Sequence, residues 1–246
     1  MARFKSNRHT EEEIAQYVAP IEARIAYTFQ NKSLLYLALI HRSFVFETPG
    51  ANSQTNERLE FLGDAVLAYA SAEYLYKTFP EQDEGTLTLV RAKLVNAESL
   101  AKYAKEIQLG SQLLLGKGED RSGGRERDII LADSLEAIIG AITLDGGIEQ
   151  SVLFIVNLIQ NDAQNSIQTR NYKDDKSLLQ EKIQSQIGTT PVYEVVEECG
   201  PDHLKLFKVE VRLNNITIGR GEGHSKQKAQ QAAAHDALHN GGWMEQ

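Results

Sequence analysis

In NERLEFLGDAVL, residues 56–67, the acids Glu57, Glu60 and Asp64 stand three and four residues apart. That spacing puts all three on one face of a helix. Like charges so placed repel by about a few tenths of a kcal/mol per exposed pair, so either something compensates or the face points into water. A second acidic pair, Asp133 and Glu136 in LADSLEA, is three apart and also shares a helical face. Its neighbours at 131, 132, 135, 137, 138 and 139 are apolar, which argues against a wholly solvated helix. An unpaired buried carboxylate is costly or takes up a proton, and a metal ion is the simplest remedy. If the two helices cross, Glu60, Asp64, Asp133 and Glu136 converge as hard oxygen ligands with few histidines nearby. Such a set suits Mg²⁺ or Mn²⁺ better than zinc, and it can activate water and neutralise a phosphate under in-line attack. The rival arrangement has these acids facing solvent or paired with Arg58, Arg91, Arg125 or Arg127. Spacing alone leaves both open.

The elements that must position these acids read as nearly all helix through residue 150 or so. KSLLYLALI (32–40) is a short apolar helix, and residues 57–79 form a long one that Pro80 stops. Residues 85–110 open another helical region, and 128–147, dense in Ala, Ile and Leu, suit a helix buried on most of its surface. Between them GKGEDRSGGRER (116–127) reads as a Gly- and charge-rich loop, and QSVLFIVNLI (150–159) continues the helical pattern. After residue 160 a polar stretch marks a linker or a ragged helix end, with the linker bounds at 161–173. From 174 to 243 the pattern changes to helix, three short β runs and an alanine-rich helix, an α-β-β-β-α order. Two helices on a three-stranded sheet can form one core, and Asn214 and Asn215 between two β runs suit a tight hairpin. The expected fold is therefore a two-domain chain, all-α over 1–160 and then this smaller α/β unit.

Composition narrows the class. At 246 residues with 41% hydrophobic and 24% charged residues, the chain is globular in type rather than disordered. The single cysteine, Cys199, excludes an intrachain disulfide framework and fits a reducing compartment. The N-terminus lacks a signal-peptide core, and no run approaches the roughly 18 to 20 apolar residues that span a bilayer. A cytosolic protein without membrane contact is the expectation. The formal charge of -8 argues mildly against nucleic acid, but local distribution outweighs the sum.

NERLEFLGDAVL resembles the signature stretch of the bacterial ribonuclease III family. FQNKSLLYLALIHRSF, GTLTLVRAKLVN and GKGEDRSGGRERDIILADSLEAIIGAITLDGG resemble three further family segments in the same order and spacing. The C-terminal unit is similar to the double-stranded RNA-binding domain that follows the nuclease domain in that family. The resemblance implies a Mg²⁺-dependent endoribonuclease, with Mn²⁺ as a substitute and no organic cofactor. It implies cleavage of double-stranded RNA to 5′-phosphate and 3′-hydroxyl ends with two-nucleotide 3′ overhangs. The implied substrates are ribosomal RNA precursors and some messenger and transfer RNA precursors.

Residue by residue, the catalytic metal-binding acids of the family fall on Glu60, Asp64, Asp133 and Glu136, with Asp64 and Glu136 central. Further family acids match Glu57 and Glu84 at the rim of the cleavage valley, where an ordinary surface role competes. Phe61 matches an aromatic that inserts into the partner subunit of a homodimer; an intramolecular core position is the alternative. His41 in IHRSF is expected to cap or hydrogen-bond rather than to act as a base.

In the C-terminal unit, Gln180, Glu181 and His203 match minor-groove contacts, and Ser225, Lys226 and Lys228 stand at a helix start suited to phosphate. Recognition of that kind reads shape, phosphates and 2′-hydroxyls. Gln227 and Gln230 stand where basic residues are common in the family. From residue 174 on there are 8 Lys and Arg against 11 Asp and Glu, which implies weak, salt-dependent binding by this unit alone. Two other classes compete with the nuclease: a noncatalytic RNA-binding protein on the same frame, and a metal-dependent hydrolase of small phosphates. Retention of all four acids speaks against the first, and the RNA-binding unit against the second.

Overall fold

A computed structural model describes residues 10–47, 54–170, 172, 174–201 and 205–240. The chain divides into two compact units, residues 1–169 and 170–246.

The first unit is helical: α1 Glu11–Ile25, α2 Lys32–Ala38, α3 Arg42–Glu47, α4 Glu57–Thr78, α5 Glu84–Leu94, α6 Ala97–Glu106, α7 Lys117–Arg121, α8 Asp128–Gly146 and α9 Ile148–Thr169. Its centre is α8, whose residues Leu131, Leu135 and Ala137–Ile142 are all buried. Apolar and small residues around most of its circumference leave little of such a helix wet, so α2, α4, α6 and α9 pack around it. Two glycines set the closeness of α4 to α8. A methyl group at Gly63 would overlap the backbone carbonyl of Glu136, and one at Gly140 would overlap the carbonyl of Leu59. Both residues lie where the two backbones meet, and any side chain would push the helices apart.

Local chemistry defines the helix ends. Thr10 and Glu13 form a capping box on α1, and Asn31, Asp83 and Asn96 cap α2, α5 and α6 with their side chains. At the far end of α8, Asp145 accepts the backbone N–H groups of Gln30 (2.9 Å) and Asn31 (2.8 Å) and the hydroxyl of Tyr27 (2.8 Å). One carboxylate thereby fastens the α1–α2 turn to the central helix.

Two sequence expectations change here. The segment 116–127 is not a plain loop, since it contains α7 and a 3₁₀ turn at Gly124–Glu126. Arg125 pins it, donating to the carbonyls of Gly110 (2.8 Å) and Leu113 (2.9 Å) and pairing with Asp120 (2.8 Å). The stretch from residue 161, expected as a linker or a ragged helix end, is helical as far as Thr169, so the linker bounds move. Ile159, Ala163 and Ser166 stay buried at helical spacing, so small residues carry an inward stripe that polarity masks.

The second unit runs α10 Asp175–Ile187, β1 Val192–Cys199, β2 Leu206–Leu213, β3 Ile216–Gly223 and α11 Lys226–His239. The sheet is antiparallel in the order β1-β2-β3. Asn214 (φ 49°) and Asn215 (φ 67°) are both left-handed in the β2–β3 turn, as a two-residue hairpin requires. Val209, Val211 and Leu213 alternate inward on β2 and meet Leu179, Ile183, Ala229, Ala233 and Ala237 in one core. Methyl groups on Gly219 or Gly221 would overlap the backbone of Ala233, so glycine and alanine let α11 lie directly on β3. No described helix is long and apolar enough to cross a membrane.

Candidate active site

The crossing of α4 and α8 creates the site. Glu60 and Asp133 follow directly from the helical faces inferred above, and Glu136 is the residue whose own carbonyl abuts Gly63. One carboxylate oxygen from each of Glu60, Asp133 and Glu136 lies within 4.8 Å of the others. All three are half-buried. Asp64, one turn beyond Glu60, is exposed and stands outside this tightest group. It is nonetheless the strongest charge acting on Glu136.

Crowding shows in the titration of the acids. Burial, then the charges of Asp64, Asp133 and Glu60, push Glu136 up to about 7. Burial followed by Asp133 and Glu57 raises Glu60, and burial raises Asp133 against the pull of His41 and Arg42. Among the described residues, none of Arg58, Arg91, Arg125 and Arg127 pairs with any of the four acids; Arg125 and Arg127 are held by Asp120 and Glu119. The arginine-paired alternative therefore does not hold. Carboxylates that raise one another's pKa want either protons or a cation, and three hard oxygens at this spacing can hold a divalent ion.

A cavity of about 240 Å³ adjoins the cluster, lined by Glu60 and Asp133 together with His41, Arg42, Glu57 and Arg127. The start of α4 is fixed there because the N–H of Asn56 donates to the carbonyl of Ile40 at 2.9 Å. His41 places Nδ1 2.8 Å from the hydroxyl of Ser43 and accepts the Ser43 N–H at 3.3 Å. It therefore makes the local hydrogen bonds expected of it. Glu57 is exposed, 3.9 Å from Arg42, and accepts the Thr55 hydroxyl at 2.9 Å.

Glu84 does not join this group. It opens α5 and lines a separate groove of about 670 Å³, whose apolar wall is Leu75, Tyr76, Phe79, Pro80 and Leu87. Phe61 is not a core residue. It is 81% exposed, and Tyr69 and Tyr76 are also exposed on α4.

In the second unit, Gln180 and Glu181 are exposed on α10. Ser225 caps α11 by accepting the Lys228 N–H at 3.2 Å. Lys226 pairs with Glu198 at 3.1 Å. His203 lies outside the described residues. Sequence reading passed over Gly63, Gly140, Glu198 and Lys205. For the glycines the available signal was a side-chain-free position on each of two helices that must cross; for Glu198 and Lys205, far apart in sequence, there was none.

An all-helical unit with a carboxylate centre is joined to an α-β-β-β-α unit with basic residues at its last helix, a frame compatible with a metal-dependent enzyme acting on nucleic acid. Residues 31–163 match the family model described as ribonuclease-III-like, and residues 176–240 the one described as double-stranded RNA binding motif. The chain is 45% identical over 229 residues to ribonuclease 3 of Protochlamydia amoebophila, covering 92% of this chain and 93% of that protein. It is 46% identical over 219 residues to ribonuclease 3 of Caldanaerobacter subterraneus subsp. tengcongensis, covering 89% and 95%. A solved nuclease domain of ribonuclease III from Campylobacter jejuni, described for flexibility in a region involved in dimer formation, matches with a TM-score of 0.54. It is 43% identical, covering 58% of this chain and 96% of that one. The chain belongs to the ribonuclease III family, as an endoribonuclease with a double-stranded RNA-binding domain.

Proposed function

We propose that this chain hydrolyses phosphodiester bonds of double-stranded RNA with Mg²⁺ held by Asp64 and Glu136, and with Glu60 and Asp133 completing the centre. The observation that carries the reading is the approach of three carboxylates within 4.8 Å of one another on two crossing helices. Mg²⁺ bound there supplies charge neutralisation for the phosphate and activation of the attacking water; Mn²⁺, with the same taste for oxygen, substitutes. The chain's own part is to hold the acids at fixed separation through the rigid α4–α8 crossing. Asp64 and Glu136 carry the central share, and Glu57 and Glu84 act at the periphery of the RNA path.

The acting form is a homodimer in which the exposed Phe61 inserts into the second copy. An aromatic ring left in water on a face with two exposed tyrosines supports this, as does the apolar groove between α4 and α5. Two centres then face opposite strands, giving 5′-phosphate and 3′-hydroxyl ends with two-nucleotide 3′ overhangs. Gln180, Glu181, His203, Ser225, Lys226 and Lys228 grip the duplex from the unit that follows residue 173. The substrates are ribosomal RNA precursors with some messenger and transfer RNA precursors, met in the cytosol.

Cleavage of an end-labelled RNA duplex, with and without Mg²⁺, tests this directly with the intact protein and Glu136→Gln in parallel. Short duplex products that need Mg²⁺ and vanish in the variant are expected. Binding of duplex without any cut by the intact protein would transfer the chain to the noncatalytic class.

A further inference from the structure

We infer that Glu198 is a built-in competitor for the RNA phosphate at Lys226, and that Lys205 is a further phosphate-binding cation in the same patch. This rests on the reading of Lys226 as a phosphate contact. Lys205 precedes β2 and Lys226 opens α11, 21 positions later in the sequence. Glu198, next to last in β1, joins them: Oε1 lies 3.1 Å from the Lys226 ammonium and Oε2 lies 3.2 Å from that of Lys205. Both ammonium groups also stand over the ring of Phe207, at 5.6 and 5.9 Å from its centroid, where the ring face attracts cations. His224, just before the α11 cap, places Nδ1 3.3 Å from the Lys205 carbonyl.

Two cations and one carboxylate leave the patch one net positive charge. The lysines hold the Glu198 carboxyl below its usual range, Lys226 most strongly, so the competitor stays ionised near neutral pH. All three side chains remain open to solvent, at 60% for Lys226, 37% for Lys205 and 35% for Glu198. Exposed pairs of this kind are weak and screened by salt, so they hold the lysines in place yet open readily. A phosphate arriving at Lys226 displaces an intramolecular carboxylate and also feels its repulsion. Binding at this patch is therefore weaker than two lysines alone would give, and less salt is taken up or released on binding. For a nuclease that must let go of a cut duplex, this favours dissociation. The adjacent Glu197 pairs instead with Lys208, at 2.8 Å, and supplies an internal control.

The intact protein is titrated with duplex RNA in EDTA, which withholds the metal that the proposed cleavage needs, from low to moderate salt. Glu198→Gln should tighten binding by about three- to tenfold at low salt, with a salt slope steeper by up to about one. Glu197→Gln should stay within about twofold of wild type. Lys205→Gln should weaken binding and flatten the slope, and the Glu198→Gln gain should shrink in a Lys226→Gln background. With Mg²⁺, Glu198→Gln should slow multiple turnover relative to single-turnover cleavage, because release of the cut duplex is slowed. If Lys226→Gln weakens binding but Glu198→Gln does not tighten it, the inference falls and the reading of Lys226 stands. If Lys205→Gln binds as wild type, Lys205 is not a phosphate contact. If Lys226→Gln binds as wild type, the reading beneath the inference falls as well.

Discussion

Gly63 of α4 lies against the backbone carbonyl of Glu136 in α8, with no room for a Cβ between them. This contact couples the family's signature helix to one of its acids through the main chain. It fixes the height of the crossing, and with it the separation of Glu60 from Asp133 and Glu136. The reciprocal contact of Gly140 with Leu59 holds the same crossing one turn away.

Gly63→Ala should therefore damage fold and chemistry together. A methyl group pressed on backbone forces the helices apart, at a cost of about 2–4 kcal/mol. Displacement of the acids by about 1 Å should lower cleavage by on the order of a hundredfold. Denaturant unfolding and single-turnover cleavage measure the two losses; an unchanged protein would refute the role of the crossing.

The raised pKa of Glu136, about 7, makes stability in EDTA depend on pH. In the unfolded chain this carboxyl titrates near its ordinary value, so its contribution is fully present below that value and is lost as pH rises through 7. After allowance for partial exposure, the loss is on the order of 1–2 kcal/mol. Thermal unfolding in EDTA should fall between acidic and mildly alkaline pH, and Glu136→Gln should flatten this fall. Adding Mg²⁺ at alkaline pH should restore stability to wild type and do much less for the variant.

Phe61→Ala should shift the protein from dimer to monomer without loosening its core, because the ring is 81% exposed within the single chain. Sedimentation over a concentration series reads the change, and Phe61→Tyr tests whether ring shape suffices. A variant that sediments like wild type would remove Phe61 from the interface.

Glu210 holds Arg212, Arg220 and Thr217 together on the outer face of the sheet, and Arg212 and Arg220, in that order, do most to pull its pKa down to about 2. A depressed carboxyl contributes stability above its unfolded value and loses it as pH falls toward 2. Glu210→Gln should lower the unfolding temperature of the C-terminal unit at pH 7, with the gap to wild type closing in strong acid. A gap that persists at the acid end would mean that the network works through packing and not charge.

Periodicity alone carried much of this protein. The three- and four-residue spacing of Glu57, Glu60 and Asp64 does mark one helical face, and the apolar surroundings of Asp133 and Glu136 do mark a buried helix. The paired asparagines at 214 and 215 are a left-handed hairpin turn, and the α-β-β-β-α order is as the residue pattern implies. These features are local, since side-chain direction repeats along a helix or strand whatever lies across from it. The helix running to Thr169 was hidden because its inward residues there are alanine and serine, which look like linker. The turn of helix at Lys117–Arg121 was hidden because it is pinned from outside, by backbone N–H groups given to Glu47. Only tertiary structure decided which acids meet, that Glu84 stands apart from them, that Phe61 faces water, and that Glu198 sits between Lys205 and Lys226. Each of those facts is a distance between residues far apart in the chain, and such distances are set by how closely two backbones can approach.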